Sequence, residues 1–157
     1  MLRLDQEMDI IGKTDDSLIA FFRRASLPAA RLALFVVFFW FGFLKLLDTS
    51  PANPLVAELL GRTLPLITFE QFILFLGTYE MIIGLAFLVP GLERIAVALL
   101  VPHMITTAGP LVLLPAVTWQ GFLTPTLEGQ YIIKNLVIIA LAMGIAAHLH
   151  PWRERNR

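Results

Sequence analysis

Residues 69–89 read FEQFILFLGTYEMIIGLAFLV. A helix of this length crosses about 30 Å of hydrocarbon at 1.5 Å per residue, yet it carries a carboxylate, Glu80, near its middle. An ionisable group in hydrocarbon is costly unless it meets water or a partner, so Glu80 must be answered from elsewhere in the chain. Glu70, Ile73, Gly77, Glu80, Gly84 and Phe87 recur at three- and four-residue steps and share one helical face. Glycines on that face let another helix come close, which is how helices associate in lipid. The face is therefore predicted to look into protein.

Outward from this run, the chain holds three more stretches of spanning length. The four run from about Leu27 to Leu47, Leu66 to Val89, Leu92 to Ala116 and Gln130 to Leu149, and the first contains LALFVVFFWFGFL. Pro51 and Pro54, Pro90 and Gly91, and Pro125 with Gly129 mark the breaks. Each of the other spans also carries an ionisable residue: Lys45, His103 and Lys134. The fold predicted is all-α, a four-helix transmembrane bundle (27–149) preceded by a cytoplasmic segment (1–26) with a short interfacial helix and followed by a cytoplasmic tail (150–157). No internal repeat of fixed period is visible.

Composition supports this class. The chain has 157 residues, 57% hydrophobic and 15% charged, with a mean hydropathy of +0.76, whereas soluble domains carry about a quarter charged residues. Net charge is zero and there are no cysteines. No basic patch points to nucleic acid, and thiolate metal sites, iron–sulfur clusters and disulfide chemistry are excluded. The N-terminus lacks the pattern of a cleavable signal, so the first span is expected to direct its own insertion.

Arg3, Lys13, Arg23, Arg24 and Arg31 precede or open the first span, Arg94 lies in the second connection, and Arg153, Arg155 and Arg157 follow the last. Only Arg62 lies opposite. This bias predicts cytoplasmic termini, with the 48–65 and 117–128 loops outside. Asp15, Asp16 and Ser17 are placed to cap a helix whose Leu18, Ile19, Phe21 and Phe22 would rest on the cytoplasmic interface, with Arg23 and Arg24 on lipid phosphates. The alternative is a solvated lead-in to the span. Trp152 and Tyr131 stand where interfacial aromatic anchors belong.

Helical rise puts Glu80 and His103 within about 4 Å of the midplane, Lys134 about 8 Å and Lys45 about 12 Å toward the outside. Glu70 lies at a similar outer depth. Lys45 and Lys134 have stems long enough to snorkel, which is their bland explanation. His103, Thr106, Thr107 and Pro110 form a polar stripe, and Pro102 frees the Ala98 carbonyl. In the fourth span Lys134, Leu141 and His148 recur at heptad steps, and Ala140 with Gly144 makes a small-residue pair. The inward cluster predicted is Lys45, Glu80, His103, Tyr131 and Lys134, with Glu70, Thr106, Thr107, Glu128, Gln130 and Asn135 in secondary positions. A protonated Glu80 hydrogen-bonded to His103 is the structural alternative. Haem between His103 and His148 is disfavoured by a depth difference of about 12 Å, and His103 with Glu80 supplies too few ligands for a metal. No catalytic residue is assigned.

The strings WFGFLKL (40–46), FLGTYEMIIGLAFLVPGLERIA (75–96), TTAGPLVLLPAVTW (106–119) and PTLEGQYIIKNLVIIALAM (125–143) resemble the DoxX-like superfamily, nearest its YkgB/RclC-type branch. The resemblance covers residues 26–147. It implies a four-helix protein of the bacterial cytoplasmic membrane linked to quinone metabolism or oxidant resistance, with Lys45, Glu80, Glu128, Gln130, Tyr131, Lys134 and Asn135 at family positions. His103 matches no family pattern.

Three functions follow as expectations. The first is an accessory subunit whose cluster binds a quinone or lipid, depending on a membrane redox partner for electrons. The second is a structural or assembly subunit, in a complex or a homo-oligomer. A proton-linked carrier working through Glu80 and His103 is the third.

Overall fold

The computed structural model describes residues 2–149, with side chains from residue 12 onward. The expected cytoplasmic tail, with Trp152 and its three arginines, lies outside the described residues, as does the side chain of Arg3. Seven helices and one small hairpin follow in order: α1 (Leu2–Leu46), α2 (Asn53–Thr63), α3 (Phe69–Leu88), α4 (Glu93–Ala108), α5 (Pro110–Leu113), α6 (Pro115–Thr118), β1 (Trp119–Gly121), β2 (Thr124–Pro125) and α7 (Leu127–Ala146). Four stretches are long and apolar enough to cross a membrane: Gly12–Leu46, Phe69–Leu88, Glu93–Leu113 and Leu127–Ala146. At most 39% of any of these apolar windows is buried against the rest of the protein. Trp40, Phe41, Phe75, Ile105, Leu136 and Val137 all point outward, and lipid is the solvent that accepts such a surface. The protein is a multi-pass, all-α membrane bundle.

The short interfacial helix is not a separate element. Residues 2–26 and the first span form one helix of 45 residues. Ser17 sits mid-helix and donates its hydroxyl to the Lys13 carbonyl at 2.7 Å, so the Asp15–Ser17 group does not cap. Pro28 removes one backbone donor without ending the helix. The patch of Leu18, Ile19, Phe21 and Phe22 is exposed.

α1 packs most extensively against α3. Gly42 and Gly77 meet there backbone to backbone: a Cβ on Gly42 would lie 2.6 Å from the Gly77 carbonyl oxygen, and one on Gly84 would lie 2.9 Å from the Phe39 nitrogen. Lys45 and Leu46, the end of α1, lie against Gly77, the ninth of twenty residues in α3. The first two turns of α3 therefore run past the end of α1. On that side, called the Thr49 side here, α2, α5, α6 and the hairpin occupy the space. α2 and the hairpin stand where plain loops were expected, while α5 and α6 break up the end of the third span, expected to run unbroken to Ala116. Arg62 donates to the Leu113 carbonyl at 3.0 Å, and the Trp119 indole donates to that of Leu111 at 3.0 Å. Thr118, fully buried, shares its hydroxyl proton between the carbonyls of Pro110 and Leu114.

The core lies in the other half, toward Pro90. It joins Leu34 and Phe38 of α1, Ile83, Ala86 and Phe87 of α3, Ala96, Leu100 and Met104 of α4, and Ala142 and Ile145 of α7. Gly91 turns the chain between α3 and α4 at φ +94°, a conformation that only glycine adopts without strain. Glu93 locks this turn: one oxygen accepts the Gly91 N–H at 2.9 Å and the other pairs with Arg31 of α1.

Candidate functional site

Each helix brings its polar residue in on the face that its apolar spacing buries. On α1 that face is Leu34, Phe38, Gly42 and Lys45; on α3 it is Ile73, Gly77, Glu80, Gly84 and Phe87; on α4 it is Glu93, Ala96, Leu100 and His103. Three- and four-residue steps align the members of each set. Lys45, Glu80 and His103 end up 6%, 6% and 7% exposed.

The geometry centres on Glu80. Lys45 donates from Nζ to Oε2 at 2.7 Å, and His103 Nε2 stands 3.6 Å from Oε1. The first is a short charge-assisted hydrogen bond; the second is just beyond hydrogen-bond range, and a shift of a few tenths of an ångström closes it. Lys45 thus turns its ammonium into the bundle, so snorkelling does not describe it. Phe38 meets the imidazole edge-on with ring centroids 5.4 Å apart, and Tyr79 lies 6.2 Å away. The Tyr79 hydroxyl is taken by the Leu99 carbonyl at 2.7 Å. Phe38 and Tyr79 are site residues that the polar-residue reading missed. Their signal was positional: Phe38 shares the α1 face with Lys45, and Tyr79 precedes Glu80.

The other predicted members stand elsewhere. Lys134 and Tyr131 are exposed on α7, with the ammonium 5.1 Å from the centre of the tyrosine ring. They do not join the cluster, because the Thr49-side half of α7 buries the flank carrying Gly129 and Ile132 instead; the face that carries Tyr131 enters the core only further along, at Ala142 and Ile145. Of the expected heptad seam only Leu141 packs on the core, while Lys134 and His148 are exposed. Ala140 and Gly144 also face outward, and a Cβ on Gly144 would meet nothing within 4 Å. Glu70, Glu128 and Gln130 are exposed, and Asn135 is half-buried. Thr106 and Thr107 spend their hydroxyl protons on the Pro102 and His103 carbonyls, at 2.9 and 2.6 Å. They have no proton left for a ligand.

Two cavities were outside the sequence reading. One, of about 150 Å³, opens between α4, α5 and α7 and is lined by apolar side chains and Asn135. The other, of about 330 Å³, is bounded by Leu27, Pro28, Arg31, Leu88 and Pro90.

A carboxyl group held between an amine and an imidazole can exchange a proton with the histidine and can accept from or donate to a small polar headgroup. It carries no electrons. Among the described residues, no group of three or more His, Asp or Glu side chains is placed to hold a metal. No protein-family model, curated protein or solved structure matches this chain, so its assignment rests on the residues and geometry above.

Proposed function

We propose that this chain is a small integral membrane subunit of the DoxX-like type, in the bacterial cytoplasmic membrane with both termini inside, serving quinone-linked redox metabolism or oxidant resistance. The observation that carries this reading is Glu80, buried among apolar helices with Lys45 on one oxygen and His103 beside the other. A quinone headgroup requires a hydrogen-bond donor near each carbonyl oxygen and a route for protons. Lys45 and His103 supply the donors, and Glu80 takes or returns the proton. Phe38 and Tyr79, whose rings flank His103, wall the place the headgroup takes. Electrons come from a partner subunit, since a cysteine-free chain cannot hold an iron–sulfur cluster and His103 and His148 lie at different depths. In this reading the exposed patch around Phe21 and Phe22 lies along the inner headgroups, with Arg23 and Arg24 on lipid phosphates.

The test is purification from native membranes in mild detergent, followed by extraction and mass spectrometry of bound lipids and proteins. Quinone should copurify with the wild type and with Lys134→Met, and be lost from Lys45→Met and Glu80→Gln. Equal quinone in all four preparations, or none in any, refutes the reading.

A structural role is the second reading, and a specific observation favours it. Lys45 and Glu80 pair within one helical turn of the Gly42–Gly77 contact, where an ion pair fixes the register of two helices. In that case Lys45→Met and Glu80→Gln lower thermal stability and leave the activity of any associated enzyme unchanged.

A further inference from the structure

Lys134 is the eighth residue of α7's twenty, which puts its Cα about 4 Å from the middle of the span. It is exposed, and its surroundings are apolar: Leu136 and Val137 are 65% and 70% exposed. A lysine stem extended toward the Thr49 side carries the ammonium roughly 6 Å further, to about 10 Å, still short of the hydrocarbon edge at about 15 Å. The Tyr131 ring beside it gives a cation–π contact but no countercharge, and no carboxylate of the described residues pairs with it. A stranded ammonium at that depth calls for a carboxylate from outside the chain.

The chain itself carries one that fits. Glu128, exposed at the second position of α7, lies about 13 Å from the middle of the span, close to the level the ammonium reaches. At 100° per residue, Lys134 and Glu128 each lie about 60° from Tyr131, on opposite flanks. Within one helix that separation keeps them apart. Across a two-fold axis it brings them together, because the left flank of one helix meets the right flank of its mate.

We infer that the Thr49-side half of α7 is a self-association surface, where two copies of the chain cross with Tyr131 and Leu127 central and two reciprocal Lys134–Glu128 pairs closing the flanks. Both central residues are exposed, at 63% and 60%. Further along the same face Ala142 and Ile145 are buried in the chain's own core, so the helices cross there and do not run side by side. The surface is separate from the Lys45–Glu80–His103 site and stands whether or not that site binds quinone.

The lack of cysteine makes the test direct. Oxidation of membranes containing Tyr131→Cys should yield a disulfide-linked dimer, whereas Met143→Cys, exposed about 120° away around α7, should not. Adding Lys134→Glu or Glu128→Lys to Tyr131→Cys should cut the cross-linked fraction about tenfold or more, since like charges then oppose each other. The combined charge swap should restore it. Lys134→Glu should leave the melting of the protomer unchanged, which separates lost association from lost folding. Equal cross-linking at the two cysteine positions, no rescue by the swap, or capture of a different protein or an anionic lipid at Lys134 without self-dimer would overturn the inference.

Discussion

Gly42 of α1 and Gly77 of α3 touch through their backbones, and the Lys45–Glu80 ion pair lies within one turn of that contact. The two facts depend on each other. Lys45 reaches Glu80 at 2.7 Å only because no side chain holds the helices apart, and the ion pair in turn gives the crossing a fixed register.

Leucine at position 77 should therefore unfold the bundle. Its Cβ alone would fall 2.7 Å from the Gly42 carbonyl oxygen, and overpacking against backbone costs about 1–3 kcal/mol or more. Gly61 makes the contrast, since a Cβ there meets nothing within 4 Å. Gly61→Ala should stabilise by about 0.5–1 kcal/mol through helix propensity. Thermal melts in one detergent compare the two, and a Gly77→Leu melt as high as the wild type would contradict the crossing.

Removing one member of the ion pair should cost more than removing both. Hydrogen-bonded pairs within membranes are typically worth about 0.6 kcal/mol and at most about 1.7. Lys45→Met leaves Glu80 facing only His103, and Glu80→Gln leaves an ammonium without its countercharge. A double-mutant cycle on steric-trapping or denaturant stability should show a coupling near the upper end of that range. Additive effects would mean the pair forms no net bond.

Glu93 should prove a lock on the Pro90 turn. Its carboxylate joins Arg31 of α1 to the Gly91 amide, so Glu93→Ala breaks two contacts and Arg31→Gln one. The loss expected is about 1–3 kcal/mol for the alanine, with the glutamine variant milder. Hydrogen exchange at the Gly91 amide should quicken in Glu93→Ala and stay slow in Arg31→Gln. Exchange unchanged in both would remove Glu93 from that role.

The arginine bias can be checked by fusion. A reporter active only in the cytoplasm should work when joined after Leu149 and fail when inserted at Thr49. Equal cytoplasmic signal at the two positions would reverse this reading of the loops.

The four apolar runs and the inward face of α3 were legible in the sequence because lipid demands long unbroken helices and because a mid-span charge has to be answered; on α4 the expected stripe through Thr106 and Thr107 shared only His103 with the buried face of that helix. Glu80, Lys45 and His103 meet for that reason. α7 was misread because lipid-facing and protein-facing residues there are equally apolar, so periodicity does not say which face turns inward; Lys134 was placed inside by its charge and found outside. The Asp15–Ser17 group was read as a helix start because those residue types favour caps. The helix continues through them, with the Ser17 hydroxyl satisfied on the Lys13 carbonyl. α2 and the hairpin, and the break of the third span into α5 and α6, were not legible because Arg62, Thr118 and Trp119 tie them down through backbone carbonyls, pairings that leave no periodic trace.

The early end of α1 against Gly77 divides the molecule into unequal storeys. On the Pro90 side, four long helices interlock around Phe38 and Phe87; on the Thr49 side, a patchwork of short helices and a hairpin roofs the space that α1 vacates. Heat or detergent should loosen that roof before disturbing the floor beneath it.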